Sequence, residues 1–259
     1  MMKHLEVAII QSNLVWENPI QNRLDFSRKI EEIDKQVDLI VLPEMFTTGF
    51  TMNPNIVAEN MTGNTVDWMK QMAEETQAAI MGSLVISENN DFFNRLLFVE
   101  PSGTFHTYDK RHTFTLAGEH LVYSAGKKHT LVEYKGWHIL PLICYDLRFP
   151  VWSRNTMDYD LLIYVANWPR TRIAAWDALL KARAIENMSY CIGVNRVGLD
   201  ANNLEYPGHS AVYDLFGNVT GSCTDEKEET VLVTLSKDHL KNYRQKLQFL
   251  KDRDKFSLK

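Results

Sequence analysis

Disulfide frameworks, metal-ligand pairs, membrane spans and phosphate loops are all missing from this 259-residue chain. The three cysteines, Cys144, Cys191 and Cys223, are odd in number and widely spaced, so they staple nothing. No Cys-x-x-Cys or His-x-x-x-His pair occurs and the histidines are scattered, so no metal is expected. No apolar run is long enough to cross a bilayer, which argues against a membrane partner. The net charge of −5 leaves no basic surplus for phosphate backbones, and nucleic acid is excluded as the main partner. Ala125-Gly126-Lys127-Lys128 lacks the upstream glycine and the hydroxyl residue of a phosphate-binding loop. Gly208-His209-Ser210-Ala211 lacks the second glycine of a serine nucleophile elbow. Met1-Met2-Lys3-His4-Leu5-Glu6 leads into an apolar run without a signal-peptide pattern, and the expected location is cytoplasmic.

What remains is a chain with enough apolar residues for a sizeable core, 45% of the total. No linker, repeat or low-complexity tract divides it, so residues 1–259 are expected to form one domain. Residues 5–11 read as a buried strand. Asn18-Pro19 reads as the cap and first-turn proline of a helix carrying Phe26, Ile30, Ile33 and Val37. Residues 38–44 read as a strand ending in a loop. Val66, Met69, Ala73 and Thr76 mark a second helix, followed by a strand over 79–87. Hairpins join 92–100 to 104–110 across Pro101-Ser102-Gly103, and 130–134 to 137–143 across Lys135-Gly136. Strands follow at 161–167, 190–196, 209–215 and 231–235. Ile173, Trp176, Leu180, Ala184 and Asn187 lie on an amphipathic helix, and Ser236 caps a last one. Residues 225–229 read as a solvated charged loop. The Lys-rich end, about 236–259, is expected to fray or to pack on a partner subunit. Early helix–strand alternation followed by hairpins calls for more than one sheet with helices outside, an α+β chain.

One stretch stands apart: Pro141-Leu142-Ile143-Cys144-Tyr145-Asp146-Leu147-Arg148-Phe149-Pro150. The apolar strand 137–143 stops there and Pro150 opens a helix, leaving a thiol at the junction. The partial positive charge of a helix N-terminus favours a thiolate, and its free N–H groups can hold an oxyanion. Two more ionisable residues also follow strands, Glu44 after the buried run 39–43 and Lys110 after the strand 104–109. The carboxyl ends of strands are where reactive groups gather in α/β sheets. Together a thiol, a carboxylate and an ammonium can attack a carbonyl, move its protons and stabilise the tetrahedral oxyanion.

Leu42-Pro43-Glu44-Met45-Phe46, Tyr108-Asp109-Lys110-Arg111-His112 and Ile143-Cys144 through Pro150 closely resemble the three signature segments of the nitrilase, or carbon–nitrogen hydrolase, superfamily. They occur in its order, and the resemblance runs from about Leu5 to about Leu235. Asn167-Trp168-Pro169 and residues 181–187 also resemble family segments, and Thr47-Thr48-Gly49-Phe50 is most similar to bacterial omega-amidases. The resemblance implies a four-layer α-β-β-α sandwich and a catalytic triad. Glu44 is then general base and acid, Lys110 oxyanion stabiliser and Cys144 nucleophile, with the Tyr145 N–H as a second oxyanion donor. It implies that Glu119 positions the lysine and substrate, that no cofactor is needed, and that Cys191 and Cys223 are structural. It further implies a homodimer joined through the helix after Cys144 and the helix over 173–188, where Trp176 and Leu180 serve either the interface or the core.

The substrate implied is a small monoamide of a dicarboxylic acid, 2-oxoglutaramate or succinamate, whose far carboxylate needs a cation. Arg148 is the first choice, with Arg170 and Arg172 as competitors, and Phe46, Phe114 and Trp168 are expected to wall the pocket. The rivals are an aliphatic amidase, carbamoylase or nitrilase sharing the triad, and a partner-binding scaffold without chemistry.

Overall fold

A computed structural model describes residues 3–258. The first strand, β1 (His4–Gln11), decides the architecture. Its Leu5, Val7 and Ile9 enter one apolar cluster and its Ala8 and Ile10 enter another, the two-residue period of a sheet buried on both faces. Beside β1 lie the parallel strand β2 (Leu39–Val41) and the parallel β3 (Ala79–Glu88). The antiparallel β4 (Asp91–Val99) and β5 (Phe105–Asp109) complete that side. The last strand, β14 (Glu229–Ser236), returns to pair with the other edge of β1.

The second six-stranded sheet contains β6 (Val132–Tyr134), β7 (Trp137–Ile143), β8 (Leu161–Ala166) and β9 (Tyr190–Asn195). It ends in β12 (Ala211–Tyr213) and β13 (Val219–Ser222). A two-stranded ribbon, β10 (Val197–Leu199) with β11 (Glu205–Pro207), stands apart from both sheets. Leu5, Val7 and Ile9 of the first sheet share one cluster with Ile139, Leu142 and Ile163 of the second, so the sheets pack face to face. Helices α1 (Pro19–Glu31) and α3 (Asn64–Thr76), separated in the chain by the one-turn α2 (Pro54–Val57), cover the first sheet's outer face through Phe26, Ile30, Val66 and Met69. Helix α5 (Ile173–Asn187) covers the second through Trp176 and Leu180. The result is the expected four-layer α-β-β-α sandwich.

Several local expectations are corrected. Helix α1 ends at Glu31, so Ile33 and Val37 belong to the turn that brings the chain back to β2. The strand expected over 209–215 starts only at Ala211, because His209 is held at φ +59°. Residues 225–228 are exposed, as expected of a solvated charged loop, and Glu228 also ties the loop back to the chain. Glu228 accepts from Ser12 Oγ at 2.9 Å and pairs with Lys29 at 2.8 Å, while Glu229 opens β14. The C-terminal segment is anchored to its own chain at two arginines, while most of its residues from 251 to 258 are exposed. On α6 (Lys237–Leu247), Arg244 donates to the Met188 and Tyr159 carbonyls, and beyond it Arg253 donates to Asn155 O at 2.9 Å. The element after Cys144 is a five-residue 3-10 turn, Cys144–Arg148, followed by the four-residue α4 (Pro150–Ser153), so no long interface helix stands there. Trp176 and Leu180 are fully buried, because Gly193 on β9 leaves room for both side chains against the sheet; they are core. No helix among the described residues is long and apolar enough to cross a membrane.

Candidate active site

Three strand ends converge on one cleft. The chain leaves β2 through Glu44, and the following Met45 turns sharply at φ +43°. It leaves β5 directly into Lys110, whose N–H and C=O are fixed by Asn94 O at 3.0 Å and Gly126 N at 2.9 Å. It leaves β7 into Cys144, itself at φ +42°, a strained conformation for a residue with a Cβ. Such strain survives only where the surroundings impose it, and it concentrates at functional positions.

Lys110 is buried and surrounded by carboxylate. Its Nζ donates to Glu44 Oε1 at 2.8 Å and to the two oxygens of Glu119 at 3.0 and 2.9 Å. Both glutamates are completely inaccessible. Two buried carboxylates around one ammonium leave a net negative charge, so further donors are needed. Asn94 Nδ2 supplies one to Glu44 Oε1 at 2.8 Å, and the Phe114 N–H another to Glu119 Oε2 at 2.5 Å. The Asn167 N–H donates to Glu44 Oε2 at 2.8 Å. The carbonyl of that same Asn167 lies 3.9 Å from Cys144 Sγ, which places the thiol against the residue that holds Glu44.

These surroundings set the protonation states. Burial alone would lower Lys110, but the charges of Glu119 and Glu44 outweigh it and hold the ammonium above the ordinary lysine range. Burial raises Glu119, and the Glu44 charge adds to that against the pull of Lys110. Burial also pushes Cys144 well above the usual thiol range, reinforced by Glu44 and opposed by Lys110. These surroundings favour the thiol form of Cys144 over the thiolate expected from a helix N-terminus. Its proton must leave during attack, which calls for an adjacent base.

The thiol opens into a cavity of about 300 Å3. Phe114, Tyr145, Arg148 and Trp168 all line it, as expected from the sequence. Arg172 lines it too. Each guanidinium lies over an aromatic ring, Arg148 at 4.9 Å from Trp168 and Arg172 at 5.1 Å from Phe114. Neither forms an ion pair among the described residues, in contrast to Arg170, which points away and pairs with Glu205 at 2.8 Å and with Glu226. Arg170 is therefore removed from the substrate-binding set. Phe46 is also removed, because its ring is buried against Phe26 and Trp68 and does not line the cavity. Cys191 and Cys223 are free and buried away from the cavity.

Sequence reasoning missed several members. Asn94, in mid-strand on β4, carried no local signal. Phe50, whose ring centroid lies 5.0 Å from Lys110 Nζ, and Trp16 come from loops beside the first sheet. Asp200 and Tyr206 reach the cavity from the β10–β11 ribbon, joined to each other at 2.9 Å.

A cleft so equipped offers one chemistry above others, thiol attack on an acyl carbon with proton transfer by a carboxylate, which defines a cysteine-dependent hydrolase. The family model described as carbon–nitrogen hydrolase matches residues 6–245, and the chain belongs to that family. Proteins named omega-amidase YafV from Yersinia enterocolitica and Escherichia coli K12 are each 46% identical over 99% of this chain and 100% of theirs. A Bacillus subtilis protein named 2-oxoglutaramate amidase is 34% identical over 82% of this chain and 84% of its own. A crystal structure of a CN-hydrolase superfamily protein from Xanthomonas campestris, with an arsenic adduct in its active site, superposes with a TM-score of 0.97. The two sequences are 42% identical and each chain is covered completely.

Proposed function

We propose that the chain is an omega-amidase, which removes the terminal amide of a small dicarboxylic acid monoamide such as succinamate or 2-oxoglutaramate. One observation carries the substrate class: two guanidiniums without carboxylate partners among the described residues line the cavity into which Cys144 opens. A substrate carboxylate satisfies them, while its amide reaches the thiol. The names of the similar proteins from three bacteria support the same class.

In this reading Cys144 Sγ attacks the amide carbon as Glu44 takes the thiol proton. The oxyanion is held by Lys110 and the Tyr145 N–H, at the start of a 3-10 turn whose first amides have no partner within the turn. Glu44 passes the proton to the departing nitrogen, ammonia leaves and a thioester remains. Water then gives a proton to Glu44 and attacks the thioester, and the acid departs as the thiol is restored. Glu119 keeps Lys110 charged and aimed. Residues 1–259 act as one catalytic domain, since both sheets contribute to the cleft. The chain works as a cytoplasmic homodimer, a reading supported by three free cysteines and by exposed Leu116, Leu121 and Val151.

The test is ammonia release from a panel of succinamate, 2-oxoglutaramate, propanamide, a nitrile and a carbamoyl compound. Succinamate and 2-oxoglutaramate are expected to dominate, and Cys144→Ala to be inactive. Arg148→Ala should lower kcat/KM for succinamate about 10- to 100-fold, the worth of a charged hydrogen bond, and leave propanamide unchanged. Preference for the nitrile, the carbamoyl compound or the neutral amide assigns one of the sister activities instead.

A further inference from the structure

Behind the nucleophile lies a second polar assembly that the reaction scheme does not use. Asp146, on the 3-10 turn begun by Cys144, is fully buried. Its Oδ2 accepts from the Ile143 N–H at 3.0 Å and from the Tyr108 hydroxyl at 2.8 Å. Its Oδ1 accepts twice from His112, from the backbone N–H at 3.0 Å and from Nδ1 at 2.8 Å. Ile143 immediately precedes the nucleophile, and His112 stands two residues beyond Lys110. One carboxylate therefore grips both strand ends that carry the reacting groups.

The grip is itself braced. The Tyr108 hydroxyl that donates to Asp146 accepts from Trp152 Nε1 at 3.0 Å and from the Arg111 N–H at 3.2 Å. The His112 ring stacks on Phe149 with centroids 3.7 Å apart and planes 6° apart, so aromatic contact fixes its orientation before Nδ1 donates. Phe149 lies on the Cys144 side of the cleft and His112 on the Lys110 side, so stacking and hydrogen bonding pull the same two segments together. A left-handed φ at Cys144 needs such over-determination.

We infer that Asp146 and His112 form a positioning pair, which sets the separation of the Cys144 thiol from Lys110 and holds the strained nucleophile turn. The inference rests on the proposed roles of Cys144 and Lys110 in amide cleavage. Neither Asp146 nor His112 touches the substrate. They act through the backbone of Ile143 and through the Lys110 loop.

The informative variants separate the Nδ1 donor from the ring. His112→Phe keeps the stack on Phe149 and loses the donor, whereas His112→Asn restores an N–H near the Nδ1 position. His112→Phe is expected to lower kcat about 100-fold with KM within about twofold, and to slow alkylation of Cys144 by iodoacetamide about tenfold. His112→Asn should recover most of both. Asp146→Asn, of the same shape but unable to accept from all four donors, should show the same split between kcat and KM if His112→Phe fails to fold. Alkylation displaces iodide and requires no amide cleavage, so slowed alkylation supports the pair even if the substrate class proves different. A folded His112→Phe enzyme with parental kcat and parental alkylation rate overturns the inference, whatever its melting temperature.

Discussion

Replacing Lys110 with methionine keeps the length of the side chain and removes its charge from between two inaccessible carboxylates. Glu44 and Glu119 each approach Nζ within 3 Å, at 2.8 and 2.9 Å at their shortest. The facing oxygens of the two carboxylates therefore lie no more than about 5.7 Å apart, where like charges repel by about 3 kcal/mol or more at an effective dielectric constant of about 20. That repulsion makes the pair take up a proton in the folded variant that the unfolded chain releases at ordinary carboxylate pH. A folded state that binds more protons than the unfolded one loses stability as pH rises. Below the ordinary carboxylate range, near about pH 4, both states are protonated and the penalty vanishes. Above the raised folded value it is complete. Urea unfolding of Lys110→Met and its parent at pH 4.5, 6 and 8 should show a stability gap that widens by about 3 kcal/mol across the series. The variant should also have no measurable amidase activity at any of these pH values. A gap that stays constant, or narrows as pH rises, refutes the picture of one ammonium neutralising two buried carboxylates.

Two further outcomes follow from the same site. Because burial and the Glu44 charge hold Cys144 above the usual thiol range, alkylation of the free enzyme by iodoacetamide should keep rising beyond about pH 8.5, and a plateau below pH 7 would contradict a resting thiol. At Gly126 an added Cβ would lie 2.0 Å from the carbonyl oxygen of Asp109, a backbone atom that cannot yield without moving Lys110. Gly126→Ala should therefore cost about 1–3 kcal/mol in thermal or urea unfolding and lower kcat more than KM, while unchanged kinetics would show that the Lys110 loop tolerates the shift.

The residues that could be read in advance share a physical property: their signal is local. Glu44 and Cys144 each follow a run of apolar residues that must be a buried strand, and Lys110 follows the return strand of a hairpin marked by Pro101-Ser102-Gly103, so their place at a strand end is written in their neighbours. Asn18-Pro19 and Ser236 are caps for the same reason, and in the structure Asn18 accepts from the Gln21 N–H and Ser236 from the His239 N–H. The turn Asn89-Asn90, with φ of +53° and +68°, had a local signal that went unread. Two successive asparagines tolerate the left-handed conformation that joins β3 to β4.

What stayed hidden depends on pairings across space. Asn94 looks like any polar residue in a strand until β4 is set beside β5 and its amide lands 2.8 Å from Glu44. Ala125-Gly126-Lys127-Lys128 failed as a phosphate loop, yet Gly126 has a necessary place. Its hydrogen atom sits where any side chain would collide with Asp109, the residue that delivers Lys110. The choice among three arginines was equally beyond reach, since Arg170 and Arg172 are only two positions apart on one turn. Rotation of that turn alone sends Arg170 out to Glu205 and Arg172 over Phe114 into the cavity. Strand ends can be found by pattern, but the polar residues that make a buried Glu–Lys–Glu cluster affordable come from wherever the fold brings an N–H within reach.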